Sequence, residues 1–335
     1  MKKFLTITII VIFISVIGGG VYYVYFYSQV PKVNNGPVIT TTQNPGFSPF
    51  NGSNGSNNNQ IAATTTTTNT QTNETNTQND SYSIPKLRKL SSTPVAGFVA
   101  SSTASSTSIR FIDRGTGHIY EASNLTGIVS KISNTTLPKI YEAYGNRAGN
   151  QFVYRYLKDD SDNVTNFYTE LRKTGSSTTE TPFELKGKYL SSNINQVVVS
   201  PNGDKIFTWN IESGKGIGYI STFDEKNKVK IADTPLNQIV IDWPEISTVN
   251  LTTKASGVAS GYMYTIDVKT GSMKNVLGPK KGLSGKMSRD LSKILYSTKN
   301  GSNFLTYILN IKAGSSDSVV FKTLADKCVW STLNK

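Results

Sequence analysis

The sequence predicts an all-β domain built from repeated four-stranded sheets, carried behind an apolar N-terminal segment and a polar linker. Three observations point there: a hairpin motif that recurs between residues 110 and 314, a strand-favouring composition, and an abrupt change of character near residue 84. The chain has 335 residues, 37% hydrophobic and only 17% charged, with 17 Tyr, 14 Phe and 27 Gly. Aromatic residues with plentiful glycine suit short strands and tight turns and argue against a helical bundle.

The first element is residues 4–27, FLTITIIVIFISVIGGGVYYVYFY, which carries no charge. About 20 such residues cross ~30 Å of hydrocarbon as a helix. Lys2 and Lys3 precede it and the next basic residue is Lys32, so the positive-inside rule leaves the N-terminus in the cytoplasm and the remainder outside. Tyr22, Tyr23, Tyr25 and Tyr27 cluster at the outer end, where amphipathic rings favour the headgroup level. Gly18–Gly20 would also fit a cleaved signal peptide, but the apolar run continues to Tyr27, which favours a retained single-pass anchor. The one cysteine is Cys328, so a lipid-modified cysteine after the segment is excluded.

The second element is a spacer of Thr, Asn, Ser, Gln, Gly and Pro, including NGSNGSNNNQ at 51–60 and five threonines at 64–68. It holds too little apolar surface to offset the entropy of ordering it, so disorder is expected. A flexible chain of that length spans roughly 40 Å, enough to lift a domain clear of a bilayer. Asn73 and Asn79 lie in N-x-S/T sequons and are candidate glycosylation sites. The expected organisation is an anchor over 1–30, a disordered linker over 31–83 and a β-propeller-like domain over 84–335.

Formal net charge is +13, and only Lys2, Lys3, Lys32, Glu74 and Asp80 are charged before Tyr82, so the folded region is the basic one. A basic surface attracts cell-wall polymers, phospholipid headgroups or nucleic acid, and equally it serves solubility. A single cysteine rules out an intrachain disulfide, leaving burial and strand pairing to stabilise an exported domain. His118 is the only histidine, which excludes a His-rich metal site and a His–His acid–base pair.

The third element is the repeat. RFIDRGTG at 110–117, YTELRKTG at 168–175, YISTFDEKN at 219–227, YTIDVKTG at 264–271 and YILNIKAG at 307–314 share an apolar run, an Asp or polar substitute, and a turn ending in Gly or Asn. Alternation suits one packed strand face, and Gly117, Gly271 or Gly314 would supply the positive φ where the chain reverses. A second motif interleaves: VVVSPNGDKIFTW at 197–209 and KMSRDLSKILYS at 286–297, with weaker copies at 241–251 and 140–154. Together they give about four strands per unit at a spacing close to that of propeller blades.

These motifs resemble the TolB-type, WD-like family of bacterial propeller repeats, whose blades carry S-P-D-G-K-x-I before the second strand and D-x-x-T-G after the third. The matching residues are Ser200, Pro201, Asn202, Gly203, Lys205 and Ile206, then Asp113, Thr116 and Gly117, and Asp267, Thr270 and Gly271. Asn202 stands where the family has Asp. The resemblance covers about residues 90–335 and implies a fold, five recognisable four-stranded blades, rather than an activity. Only three strands are evident in the first unit, which is expected to lack its innermost strand. KCVWSTLNK at 327–335 reads as an innermost strand of a sixth unit. That strand either completes the first blade and closes a five-bladed ring or belongs to a truncated copy of a larger propeller; its end inside a turn motif favours the second, the hazard of an open edge the first.

No catalytic, cofactor-binding or metal-ligating residue is assigned. His118 is placed on an outer strand without an acid–base partner. Asp159, Asp160 and Asp162 lack the Gly and distal Glu of a calcium loop and read as solvated. Trp209, Trp243 and Trp330 are expected in the core, and Lys280 and Lys281 in an exposed basic turn. No nucleophile elbow, P-loop, zinc-protease or C-x-x-C pattern occurs. The expectation is a non-catalytic extracytoplasmic binding or scaffolding protein whose partner is an envelope protein or anionic polymer, with no specific nucleic acid. The alternative is a propeller hydrolase or lyase using carboxylates at the central channel.

Overall fold

The computed structural model describes residues 87–102, 105–158, 163–173 and 183–331, all within the compact unit Gln78–Lys335. The anchor at 4–27, the linker with Asn73 and Asn79, and Asp159, Asp160 and Asp162 lie outside the described residues. Among the described residues no helix is long and apolar enough to cross a membrane.

Among the described residues, twenty strands form five separate four-stranded antiparallel sheets. The first contains β1 (Val95–Ser102), β2 (Thr107–Asp113), β3 (Ile119–Ser123) and β4 (Val129–Lys131). The second contains β5 (Ile140–Gly145), β6 (Gln151–Leu157), β7 (Val164–Lys173) and β8 (Phe183–Tyr189). The third contains β9 (Ile194–Val199), β10 (Ile206–Glu212), β11 (Lys215–Ser221) and β12 (Val229–Thr234). The fourth contains β13 (Ile239–Glu245), β14 (Thr248–Thr253), β15 (Ser260–Asp267) and β16 (Met273–Lys281). The fifth contains β17 (Ser284–Met287), β18 (Lys293–Asn300), β19 (Asn303–Asn310) and β20 (Ser315–Val319), followed by a 3-10 turn at Ala325–Lys327.

The sheets are propeller blades because the core lies between them. Ile112 and Ile119 of the first blade pack with Ile140, Phe152 and Tyr154 of the second. Val153 meets Ile194, Val197 and Ile206 across the next interface, and Phe207 and Trp209 meet Trp243, Val249 and Leu251 across the third. Met263 and Leu277 then meet Leu283, Met287 and Ile294 of the fifth. Alternation along the second strands makes this possible: Phe207 and Trp209 face forward while Ile206 faces back. A lone sheet would leave one of these apolar faces in water, so each blade depends on its neighbours.

Polar side chains stitch the same interfaces. Arg110 pairs with Glu121 at 2.6 Å and donates to the Gly149 carbonyl of the second blade at 2.9 Å. Arg155, 4% exposed, donates to Asn166 Oδ1, to Glu142 Oε2 and to the Asn195 carbonyl of the third blade. Gln196 donates to the Ile239 carbonyl and accepts from the Ile241 N–H, joining the third and fourth blades. Gly97 permits the closest approach, since a Cβ there would stand 1.9 Å from the Ala143 carbonyl oxygen.

The recurring turns are built alike. Asp113 Oδ1 accepts from Thr116 N and Oγ1, both at 2.8 Å, and Gly117 takes φ 75°. Asp267 Oδ1 accepts from Thr270 N at 2.7 Å and Oγ1 at 2.8 Å, with Gly271 at φ 71°. Asn310 replaces Asp in the fifth blade and accepts from Ala313 N at 3.1 Å, with Gly314 at φ 67°.

Four expectations change. The first sheet has a fourth strand, β4, a three-residue exposed segment too short to show a pattern. The basic pair Lys280 and Lys281 ends β16 rather than forming a turn, paired with Gly261 and Ser260. His118 follows the Asp113–Gly117 turn and immediately precedes β3, one residue short of the strand. Residues 328–331 of the predicted terminal strand form no strand; 332–335 lie outside the described residues.

Candidate functional site

The inner strands of the fourth and fifth blades diverge around a cleft with two lobes that share Asp242 and Lys286. The larger, about 300 Å³, is bounded by Thr252, Thr253 and Lys254 on one side, Ser284 on the other, and Leu324 and Asp326 of the C-terminal segment. The smaller, about 160 Å³, is walled by Pro201, Trp243, Arg289 and Trp330. Its residues come from the third, fourth and fifth blades and the chain's end, so only the assembled array creates it.

Local sequence explains each position. In IVIDWPE, alternation turns Ile239, Ile241 and Trp243 into the interface with the third blade, which leaves Asp242 on the opposite face of β13. Lys286 precedes Met287 on β17. Met287 belongs to the core between the fourth and fifth blades. The C-terminal segment is held by Thr306, whose hydroxyl donates to the Thr323 carbonyl at 2.7 Å, and by Trp330 Nε1, which donates to the Lys286 carbonyl at 3.1 Å.

Burial is the main influence on Asp242 and pushes its carboxyl pKa up; the Lys286 charge and the Trp243 N–H act in the opposite direction without cancelling it. Asn250, directly opposite Asp242 on β14 and 1% exposed, leaves both side-chain amide atoms without a protein partner. The cleft therefore presents a partly buried carboxyl, a second carboxylate at Asp326, and cations at Lys254, Lys286 and Arg289. Such a set can pair with anionic groups and hydrogen-bond to hydroxyls.

Other carboxylates are committed to turns. Burial tends to raise the Asp113 pKa, but hydrogen bonds from Thr93 and Thr116 hold it below the ordinary value. Asp290 is held down to about 2, first by the Ser288 hydroxyl and then by Ser292. His118 is half-buried and its Nε2 lies 3.0 Å from Thr136 Oγ1; burial, then the Lys131 charge, lower its pKa. Trp209 and Trp243 are core residues, whereas Trp330 is partly exposed at the smaller lobe, where sequence reasoning had not placed it. Among the described residues no cluster of three or more His, Cys, Asp or Glu could hold a metal. Asp242, Lys254, Lys286 and Asp326 carry no motif. The only available signal was an Asp in an otherwise apolar inner strand.

No protein-family model matches the chain, and no curated relative matches it. Solved structures similar to it include TolB from Acinetobacter baumannii, at 15% identity and a TM-score of 0.40 over 61% of this chain and 49% of that one. Oligogalacturonate lyase from Vibrio parahaemolyticus matches at 15% identity and TM-score 0.46, over 67% and 64% respectively. The propeller domain of the Trilobed protease from Pyrococcus furiosus matches at 10% identity and TM-score 0.44, over 66% and 70%. The chain spans about half the length of the Acinetobacter TolB. The class of molecule defined by the five sheets and the cleft is a β-propeller-type domain with a charged site between its inner strands.

Proposed function

We propose that this protein is a non-catalytic binding or scaffolding module, held outside the cytoplasm by residues 4–27, that engages an anionic envelope polymer or acidic protein segment in the cleft. The observation that carries the reading is the grouping of Lys254, Lys286 and Arg289 around the two lobes, with the Trp330 ring available on the wall. Cations in a partly desolvated cleft attract an anion more strongly than the same charges spread over an outer face. Titration of the full chain with polyglycerol phosphate tests this. Lys286→Glu should weaken binding at least about tenfold, a loss of about 1.4 kcal/mol. Equal affinity of the variant and the parent would refute the cleft as the site.

A second reading, a propeller hydrolase or lyase, is favoured by one observation: Asp242, with its raised pKa, lines the same lobe as Asp326. Paired carboxyl groups with unequal environments can divide acid and base roles. Turnover of envelope glycans that disappears in Asp242→Asn would favour this reading over the first.

A further inference from the structure

Carboxylates find side-chain partners almost everywhere in this domain except in the cleft. Glu121 has Arg110, Glu142 has Arg155, Glu225 has Lys228, and Asp204 and Asp290 have the hydroxyls of Ser200 and Ser288. Among the described residues, every other Asp or Glu is partnered in the same way save Asp242, Asp317 and Asp326. Asp317 lies on the exposed edge strand β20, whereas Asp242 and Asp326 both line the larger lobe. Lys254 and Lys286 line that lobe as well. Charges of both signs therefore face one space of about 300 Å³ without joining in ion pairs. Water screens them less there than on an open surface, so each sign holds its counterpart on a ligand more strongly. A simple polyanion would meet two carboxylates in the same lobe, a like-charge juxtaposition that a ligand carrying both signs avoids.

Asn250 adds a second, independent sign. It stands opposite Asp242 on β14 and two residues before Thr252, so strand alternation puts it on the face that Asp242 and Thr252 present to the lobe. It is 1% exposed, and neither Oδ1 nor Nδ2 has a protein partner. A buried amide without hydrogen bonds points to a missing partner. Its oxygen can accept from an ammonium and its nitrogen can donate to an oxygen, so the floor of the lobe repeats the two-signed character of the walls.

Resting on the reading of this cleft as a binding site, we propose that its ligand is zwitterionic: an amino-sugar phosphate unit whose ammonium sits at Asp242 and Asp326 and whose phosphate sits at Lys254 and Lys286. The hydroxyls of Thr252 and Ser284 line the same lobe and suit the hydroxyls of a sugar. The Trp330 ring, on the wall of the adjoining lobe, offers an apolar face to a sugar ring.

Titration calorimetry of the full chain with glucosamine 6-phosphate, glucose 6-phosphate and glucosamine at neutral pH provides the test. Glucosamine 6-phosphate should bind at least about tenfold more tightly than either analogue, because each analogue lacks one of the two charge-assisted contacts. Asp326→Asn, at an exposed position, should erase most of the preference for glucosamine 6-phosphate over glucose 6-phosphate. Asp317→Asn, which alters the unpartnered carboxylate outside the cleft, should leave that preference intact. Equal or tighter binding of glucose 6-phosphate would overturn the zwitterionic ligand while leaving the cleft as an anion site. A preference that survives in both Asp326→Asn and Asp242→Asn would put the ammonium elsewhere and overturn it too. Binding of none of the three would also overturn it, and titration with polyglycerol phosphate then decides separately whether the anion site stands.

Discussion

The D-x-x-T-G pattern is local chemistry: Asp113 and Asp267 each collect a backbone N–H and a hydroxyl within three residues, so a short string of sequence determines them. Asp113→Ala should therefore lose about 1–3 kcal/mol, read as a lower denaturation midpoint, because it leaves buried donors unpaired. Asp242 differs because its environment comes from the fifth blade and the C-terminal segment, far away in sequence. Burial favours its neutral form, so its folded-state pKa stands above the unfolded value. The sign follows directly: stability is lost as pH rises through the carboxylate range, and Asp242→Asn should be more stable than the parent at neutral pH. That advantage should vanish on acidification below the carboxylate range; an advantage unchanged by pH would show that Asp242 ionises without penalty.

At the scale of elements, the period-2 alternation and the Gly-ended turns indicated most of the strands in advance. The blades' four-strand grouping followed from the repeat. Strand β4 escaped notice because Val129–Lys131 is exposed throughout, so neither face carries an apolar signature. Lys280 and Lys281 misled for a related reason: Gly and Pro beside two lysines suggest a turn, but pairing with Gly261 and Ser260 extends β16 through them. The stitching residues were equally invisible, since Arg155 looks like any strand arginine until its three acceptors are brought together. Arg155→Ala removes a buried charge network between the second and third blades and should cost about 3 kcal/mol in a denaturant titration. A loss of only a few tenths would mean the interface relies on the apolar cluster of Val153, Ile194, Val197 and Ile206 instead.

At the scale of the whole molecule, stacking rather than any single sheet produces both stability and the site. Each blade has two faces to cover, and its neighbours cover them. The cleft exists because the fourth and fifth blades present Asp242 and Lys286 to a common space that the chain's end helps to wall. Away from the cleft, the outer edge strands also carry lysines, such as Lys186, Lys188 and Lys230, where charge guards exposed edges against pairing with other chains. Those two uses of basic charge make opposite forecasts for where an anionic partner leaves its mark. Hydrogen-exchange footprinting with polyglycerol phosphate separates them most directly. Binding in the cleft predicts slowed exchange at residues 240–255, 284–289 and 324–330, whereas slowing confined to the outer strands around Lys186 and Lys230, with the cleft unaffected, would contradict it.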